Sequence, residues 1–102
     1  MSISILKNDE LNRFEIYSDG ELAGFAEYKV SNQMISYTHT EMDPKFGGHG
    51  LGSQLIKEVL DEALEQNLEV APYCSFVSAY IKKNSEKYLH LVPESKRASF
   101  NL

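Results

Sequence analysis

Two short stretches of this 102-residue chain hold residues with chemistry to offer. Residues 39–42, His-Thr-Glu-Met, place an imidazole and a carboxylate two positions apart, and residues 47–53, Gly-Gly-His-Gly-Leu-Gly-Ser, gather four of the six glycines into six positions. An imidazole titrates near pH 6.5, so His39 suits proton transfer at neutral pH, and Glu41 is a second base two residues along a strand. The glycine stretch has a different use. Where such a loop opens a helix, the first N–H groups lack partners and sit at the positive end of the helix dipole, which favours an anion. No Asp or Glu lies between Lys45 and Lys57 to compensate that end. A third candidate, Cys74, is the only cysteine, so an internal disulfide and a cysteine-based zinc site are both excluded.

The elements that must position these residues follow from periodicity. Residues 2–6 alternate weakly as an edge strand, with a polar turn at 7–10, and residues 13–18 alternate more clearly, Phe14 and Ile16 opposing Glu15 and Tyr17. Asp19-Gly20 predicts a type I′ hairpin turn into a return strand over 21–30, and a turn at 31–33 leads to a third meander strand over 34–42. In that strand Ile35, Tyr37, His39 and Glu41 are expected on one face, and Ser36, Thr38, Thr40 and Met42 on the other. Residues 51–66 repeat Leu51, Leu55, Ile56, Val59, Leu60, Ala63 and Leu64 as one apolar helical stripe, with Asn67 as a stop. Residues 68–72 read as a short buried strand, which makes strand, helix and strand a right-handed parallel crossover. A second helix is predicted over 75–83, capped by Ser75, with Phe76, Val77, Tyr80 and Ile81 as its apolar side. Residues 88–92 suggest a last strand or extended segment. The chain reads as one domain over 1–93, with 94–102 a candidate mobile tail.

Composition excludes several classes of partner. Ten basic and fifteen acidic residues give a net charge of −5, which argues against broad binding to nucleic acid or to an anionic membrane. No apolar run approaches the roughly 20 residues that cross a bilayer, and no signal-peptide pattern begins the sequence, so a soluble cytoplasmic protein is expected, monomeric or a weak homodimer. The glycine stretch fits neither common nucleotide loop. Gly47 to Gly52 has the Walker A separation, but Ser53-Gln54 follows where a lysine is needed, and Gly48-His49-Gly50 meets Gly52 one position too early for the dinucleotide fingerprint.

Gly50-Leu51-Gly52, after Met42-Asp43-Pro44 and before an amphipathic helix, resembles the acyl-CoA loop of the GNAT superfamily of N-acetyltransferases, whose pattern is Gln/Arg-x-x-Gly-x-Gly/Ala. Gly47 stands at the first position, so the usual Gln or Arg is missing. His39-Thr40 and the run Pro72-Tyr73-Cys74-Ser75-Phe76-Val77 are similar to the minimal GNAT-like proteins of about one hundred residues. The resemblance implies an α+β GNAT-like fold: an antiparallel meander, then a β-α-β crossover and a second short helix. It implies acetyl-CoA as cofactor and no metal, with cofactor contacts at Thr40, Glu41, Met42, Gly47, Gly48, His49, Gly50, Leu51, Gly52, Ser53, Cys74, Tyr80 and Lys83. The pantetheine arm would enter where the strands over 33–42 and 68–72 splay, and a backbone N–H near Glu41 or Met42 would receive the acyl oxygen.

On this resemblance His39 is the candidate catalytic base, with Glu41 as its alternative; a bracing structural histidine is equally open. Cys74 is open to three roles: acyl nucleophile, neighbour of the CoA sulfur, or core thiol. Lys82 and Lys83 are candidate partners of the 3′-phosphate, and Tyr80 stands near the place of a tyrosine that protonates the leaving thiolate in larger relatives. The tight Asp19-Gly20 hairpin leaves no room for the helices that enclose an acceptor in those relatives. The expected activity is therefore acetyl transfer to a protein, peptide or other exposed amine. A non-catalytic acyl-CoA-binding module and a purely structural glycine turn are the rival readings.

Overall fold

The computed structural model describes residues 2–102. Two pairs of left-handed residues set the meander. Asp19 and Gly20 have φ of 50° and 83°, the geometry of the type I′ turn between β2 (Arg13–Ser18) and β3 (Glu21–Ser31). Asn32 and Gln33, with φ of 50° and 67°, make an equivalent two-residue turn into β4 (Met34–Met42). An edge strand β1 (Ile3–Asn8) pairs with β2 and runs through Lys7 and Asn8, so the first turn lies at 9–12, not at 7–10. With β5 (Glu69–Pro72) parallel to β4, the sheet order is β1-β2-β3-β4-β5. The α+β meander and crossover are as the sequence indicates.

Helix α1 (Leu51–Glu65) makes that crossover. Its stripe of Leu51, Leu55, Ile56, Val59, Leu60 and Ala63 is buried against Phe14, Ile16, Ala26, Tyr28, Ile35 and Tyr37 of the sheet. Each fully buried Leu or Ile contributes about 1.5–3 kcal/mol. Tyr37, wholly buried, donates its hydroxyl to the Val59 carbonyl at 2.7 Å, and burial pushes that phenol's pKa up. Asn67 ends the helix in the left-handed region (φ 55°), while Leu68 N–H donates to the Ala63 carbonyl and Asn67 N–H to that of Leu64. Those two bonds are a Schellman stop.

The faces of β4 depart from simple alternation. Tyr28 pairs with Tyr37 but Glu27 with His39, so Thr38 is an extra residue that no β3 residue opposes. A bulge of this kind turns the rest of the strand over. Thr40 and Met42 therefore share the α1 face with Ile35 and Tyr37, and His39 and Glu41 stand on the opposite, uncovered face. The expectation that Ile35, Tyr37, His39 and Glu41 share a face is corrected accordingly. A second bulge, at Ala23, shifts β3 against β2 between Ile16 and Tyr17.

Two other expectations change beyond β5, and the residues after Pro93 take defined elements. Helix α2 (Ser75–Lys83) is capped by Cys74 instead of Ser75, and no side chain bonds its first turn. Residues 88–92 are not a strand: helix α3 (Ser85–Tyr88) and a 3₁₀ turn (Leu89–Leu91) take their place. A short apolar run fits either period, and here the Tyr88 hydroxyl, donating to Asp61 on α1 at 2.7 Å, favours the helical one. Residues 94–102, the candidate mobile tail, include α4 (Glu94–Arg97) and a 3₁₀ turn (Ala98–Phe100). Phe100 is buried, its carbonyl accepts the Ser78 hydroxyl at 2.6 Å, and its ring meets Tyr73 edge-on at 5.2 Å.

Candidate active site

The site begins where β4 and β5 part. They pair only from Met34 to Tyr37 against Glu69 to Pro72, and the Cys74 N–H, donating to the Tyr37 carbonyl at 3.0 Å, is the last backbone bond between the two segments. Pro72 brings no N–H to a ladder, and the chain turns directly into α2. β4 continues alone to Met42. The Asp43 N–H donates to the Ala23 carbonyl, and amides alternate along an antiparallel ladder, so the Met42 N–H faces the gap and that of Glu41 faces β3.

The glycine loop lies at the head of this gap. Gly48 (φ 84°) and Gly50 (φ 69°) take left-handed conformations that bring the chain onto the start of α1. Gly50 is the N-cap and has no side chain to bond the first turn, which also carries no acidic residue. The first helical bond runs from Gln54 N–H to the Gly50 carbonyl, so the N–H groups of Leu51, Gly52 and Ser53 are left over as donors for an anion. Gly47, Gly48, Gly50, Leu51, Gly52 and Ser53 line one cavity of about 280 Å³ with Met42 and Phe76. His49, in the same loop, is exposed and does not line it. Lys45 is held away by Glu21, whose carboxylate bonds its ammonium and raises its pKa.

Tyr80 and Lys83 line an adjoining cavity of about 460 Å³, together with Ser53, Phe76, Ala79 and Lys82. Phe76 and Ser53 border both spaces. Phe76 is 41% exposed, and its ring lies so close to Gly52 that a Cβ there would stand 2.8 Å from Cζ. Phe76, expected on the packed side of α2, is exposed there. Only Val77 and Ile81 are buried there, and the 76/80 pair flanks the groove.

The remaining candidates divide across β4. On the uncovered face His39 Nε2 is 3.9 Å from Glu41 Oε1 and its ring is 6.1 Å from that of Phe25. The two side chains are 53% and 65% exposed. On the other face the Cys74 thiol, half-buried, donates to Thr40 Oγ1 at 3.4 Å and lines neither cavity. Its partner is a neutral hydroxyl.

A strand pair that splays beside a glycine loop and a bare helix start is the arrangement the sequence resemblance implies, and comparison with known proteins decides the family. The pattern described as GCN5-related N-acetyl-transferase matches residues 13–91. The chain belongs to that family. The matched span holds the gap, the loop, α1 and α2 of this acetyltransferase domain. A GCN5-like protein from Staphylococcus aureus, solved by NMR as a candidate N-acetyltransferase, is similar at 28% identity and a TM-score of 0.68, over 88% of this chain and 87% of its own. N-acetylglutamate synthase from Neisseria gonorrhoeae, solved with coenzyme A and N-acetyl-glutamate, is similar in fold at 15% identity and a TM-score of 0.59. That likeness covers 97% of this chain but 26% of the synthase. No curated protein matches the chain in sequence.

Proposed function

We propose that this protein transfers the acetyl group of acetyl-CoA to an exposed primary amine, presented by a protein, a peptide or another open acceptor. The observation that carries the reading is the gap between β4 and β5, opening beside three unbonded N–H groups at the start of α1. Leu51, Gly52 and Ser53 would hold the pyrophosphate through their backbone, which makes the absent Gln or Arg at Gly47 a partial loss only. Tyr80, Lys82 and Lys83 border the space into which the nucleotide end would extend, and Phe76 is its apolar floor.

The Met42 N–H is the donor for the thioester oxygen. It strengthens as negative charge develops there, which lowers the barrier and not just the dissociation constant. The neutral amine would form its C–N bond to the thioester carbon as the C–S bond breaks, and the departing thiolate would take a proton from solvent. The proton lost by the amine goes to His39, directly or through water, with Glu41 beside it. Cys74, at the floor of the gap and bonded to Thr40, acts as a neighbour of the cofactor sulfur in a direct transfer.

One observation favours the non-catalytic alternative, an acyl-CoA-binding module: His39 and Glu41 stand in solvent without walls to exclude water. Release of free CoA over a panel of amines decides between the two. Turnover that falls in His39→Ala supports transfer, whereas saturable binding with no release for any amine leaves a binding module.

A further inference from the structure

The sheet has two ends, and they are not alike. Beyond β5 the chain continues into α2, α3, α4 and their turns. β1 is the opposite end: it pairs with β2 over all six of its residues, and among the described residues no strand lies on its other side. The phase of the ladder says which groups that side presents. The Asp19 N–H donates to the Ser2 carbonyl at 2.8 Å, so Ser2 faces β2, and Ser4, Leu6 and Asn8 follow it at intervals of two. The Tyr28 N–H, donating to the Asn12 carbonyl at 3.0 Å, gives the same phase from the other side of β2. The N–H and C=O groups of Ile3, Ile5 and Lys7 therefore point away from the sheet.

Such an edge is a template for another strand unless something guards it. The usual guards are missing from β1. It has no proline and no bulge, and its one charge, Lys7, is turned toward α1, 3.8 Å from Glu62 and 5.7 Å from the rings of Phe14 and Tyr28. Ile3 and Ile5 are half-buried on the α1 face, so the apolar layer reaches the edge and stops there. Leu6 is 55% exposed on the uncovered face, and Leu11, in the turn after β1, is equally so.

The strand is complementary to itself. A two-fold axis through Ile5, normal to the sheet, sets Ile5 against Ile5 of a second copy, Ile3 against Lys7 and Ser4 against Leu6. Outward-facing residues then oppose one another with their side chains on matching faces, as an antiparallel ladder requires, and six bonds close, two at each of three pairs. An axis through Leu6 would close four. Lys7 meets an isoleucine and not its own copy, so no like charges stand opposite.

We propose that the outer edge of β1 is a self-association surface, where two copies of this chain pair antiparallel about Ile5 into one ten-stranded sheet. The proposal is independent of the acetyl-transfer reading, because β1 lies at the far end of the sheet from the gap between β4 and β5. A six-residue strand is only about 20 Å long, and six bonds lie at the low end for a stable interface, so association is reversible, with a dissociation constant of about 10⁻⁴ M.

The experiment is sedimentation velocity on the full chain from about 10 μM to 1 mM, with NMR amide exchange at both concentrations. The average mass should climb from monomer toward dimer. Exchange at Ile3, Ile5 and Lys7 should slow about fivefold at the higher concentration, while Ser4 and Leu6, already bonded to β2, change by less than about twofold. In a mixed-isotope sample the Ser4 Hα of one copy should show a contact with the Leu6 Hα of the other. Ile5→Pro removes an outward N–H and no bond to β2, and should weaken association at least about tenfold in a chain whose amide spectrum stays folded. The wild-type exchange pattern and the Ser4–Leu6 contact decide the matter even where that variant fails to fold. A monomer at 1 mM would leave the edge to an extended segment of some other protein and overturn the proposal. Slowed amides elsewhere, a Leu6-to-Leu6 contact, or association indifferent to Ile5→Pro would overturn it as well.

Discussion

An alkylammonium that is to attack a thioester must first lose a proton, and in the proposed transfer His39, 3.9 Å from Glu41 on the open face of β4, is the group that receives it. Replacing it by alanine should lower turnover by about 10²–10⁴-fold, the usual worth of a general base, with acetyl-CoA affinity unchanged. Parallel CoA-release assays and calorimetry check both halves; a variant that loses stability but keeps turnover would make His39 a structural brace. Cys74 has a neutral hydroxyl as its hydrogen-bond partner, so no attached base prepares it as a nucleophile. Cys74→Ser should keep turnover within about tenfold, and intact mass after incubation of the wild type with acetyl-CoA should show no acetyl adduct. These residues were legible in the sequence by type. Their facing was not, because a period-two count has no means of sensing the bulge at Thr38, an ordinary strand former. Gly24 did carry a signal: glycine inside a strand often marks a bulge or a close approach, and here it adjoins the bulge at Ala23 and is closely approached by Met42 and the Glu41 carbonyl.

Among the elements, the glycine loop and the β3–β4 pair bear the tightest steric demands. A methyl at Gly24 meets the Glu41 carbonyl, which is backbone and has little room to yield, so Gly24→Ala should destabilise the fold by about 1–3 kcal/mol, read as a fall in the urea midpoint. At Gly52 the obstacle is the rim of the Phe76 ring, which can swing. Gly52→Ala should therefore leave stability almost intact and raise the KM for acetyl-CoA severalfold, since the ring moves into the space shared by the two cavities. The apolar repeat of α1 and its stop at Asn67 were readable directly, as were both hairpin turns. Residues 88–92 were not, because Tyr88, Leu89, Leu91 and Val92 satisfy a helical turn as well as a strand, and the deciding contact with Asp61 is 27 positions away. The splay of β4 from β5 was implied by family resemblance, and its local causes, Pro72 and the immediate turn into α2, are visible only in the assembled sheet.

For the molecule as a whole, two carboxylates contribute a pH-dependent part of the stability. Glu15 is nearly buried, and although desolvation alone would raise its pKa, bonds from Tyr17, Arg13 and Asn8 prevail and hold it below the ordinary 4.5. At Asp61 desolvation is likewise outweighed by bonds from Lys57, Tyr88 and Lys87, which hold it below 3.8. A carboxylate whose folded pKa is depressed stabilises fully above its unfolded pKa, and that contribution is lost as pH falls through the folded value. Stability should thus decline as pH drops below the ordinary carboxylate range, and Glu15→Gln should flatten that decline in a series of thermal midpoints. Calorimetric titration with acetyl-CoA of the wild type against Gly50→Asp tests most directly what the glycine loop holds. Position 50 has open space around it and a left-handed backbone that Asp tolerates better than most residues, so the variant adds a negative charge where phosphate is expected while the fold is retained. Saturable binding by the wild type, weakened by about tenfold or more in the variant, is the expected result. Equal affinity in the two proteins, or no binding by the wild type up to about millimolar ligand, would contradict it.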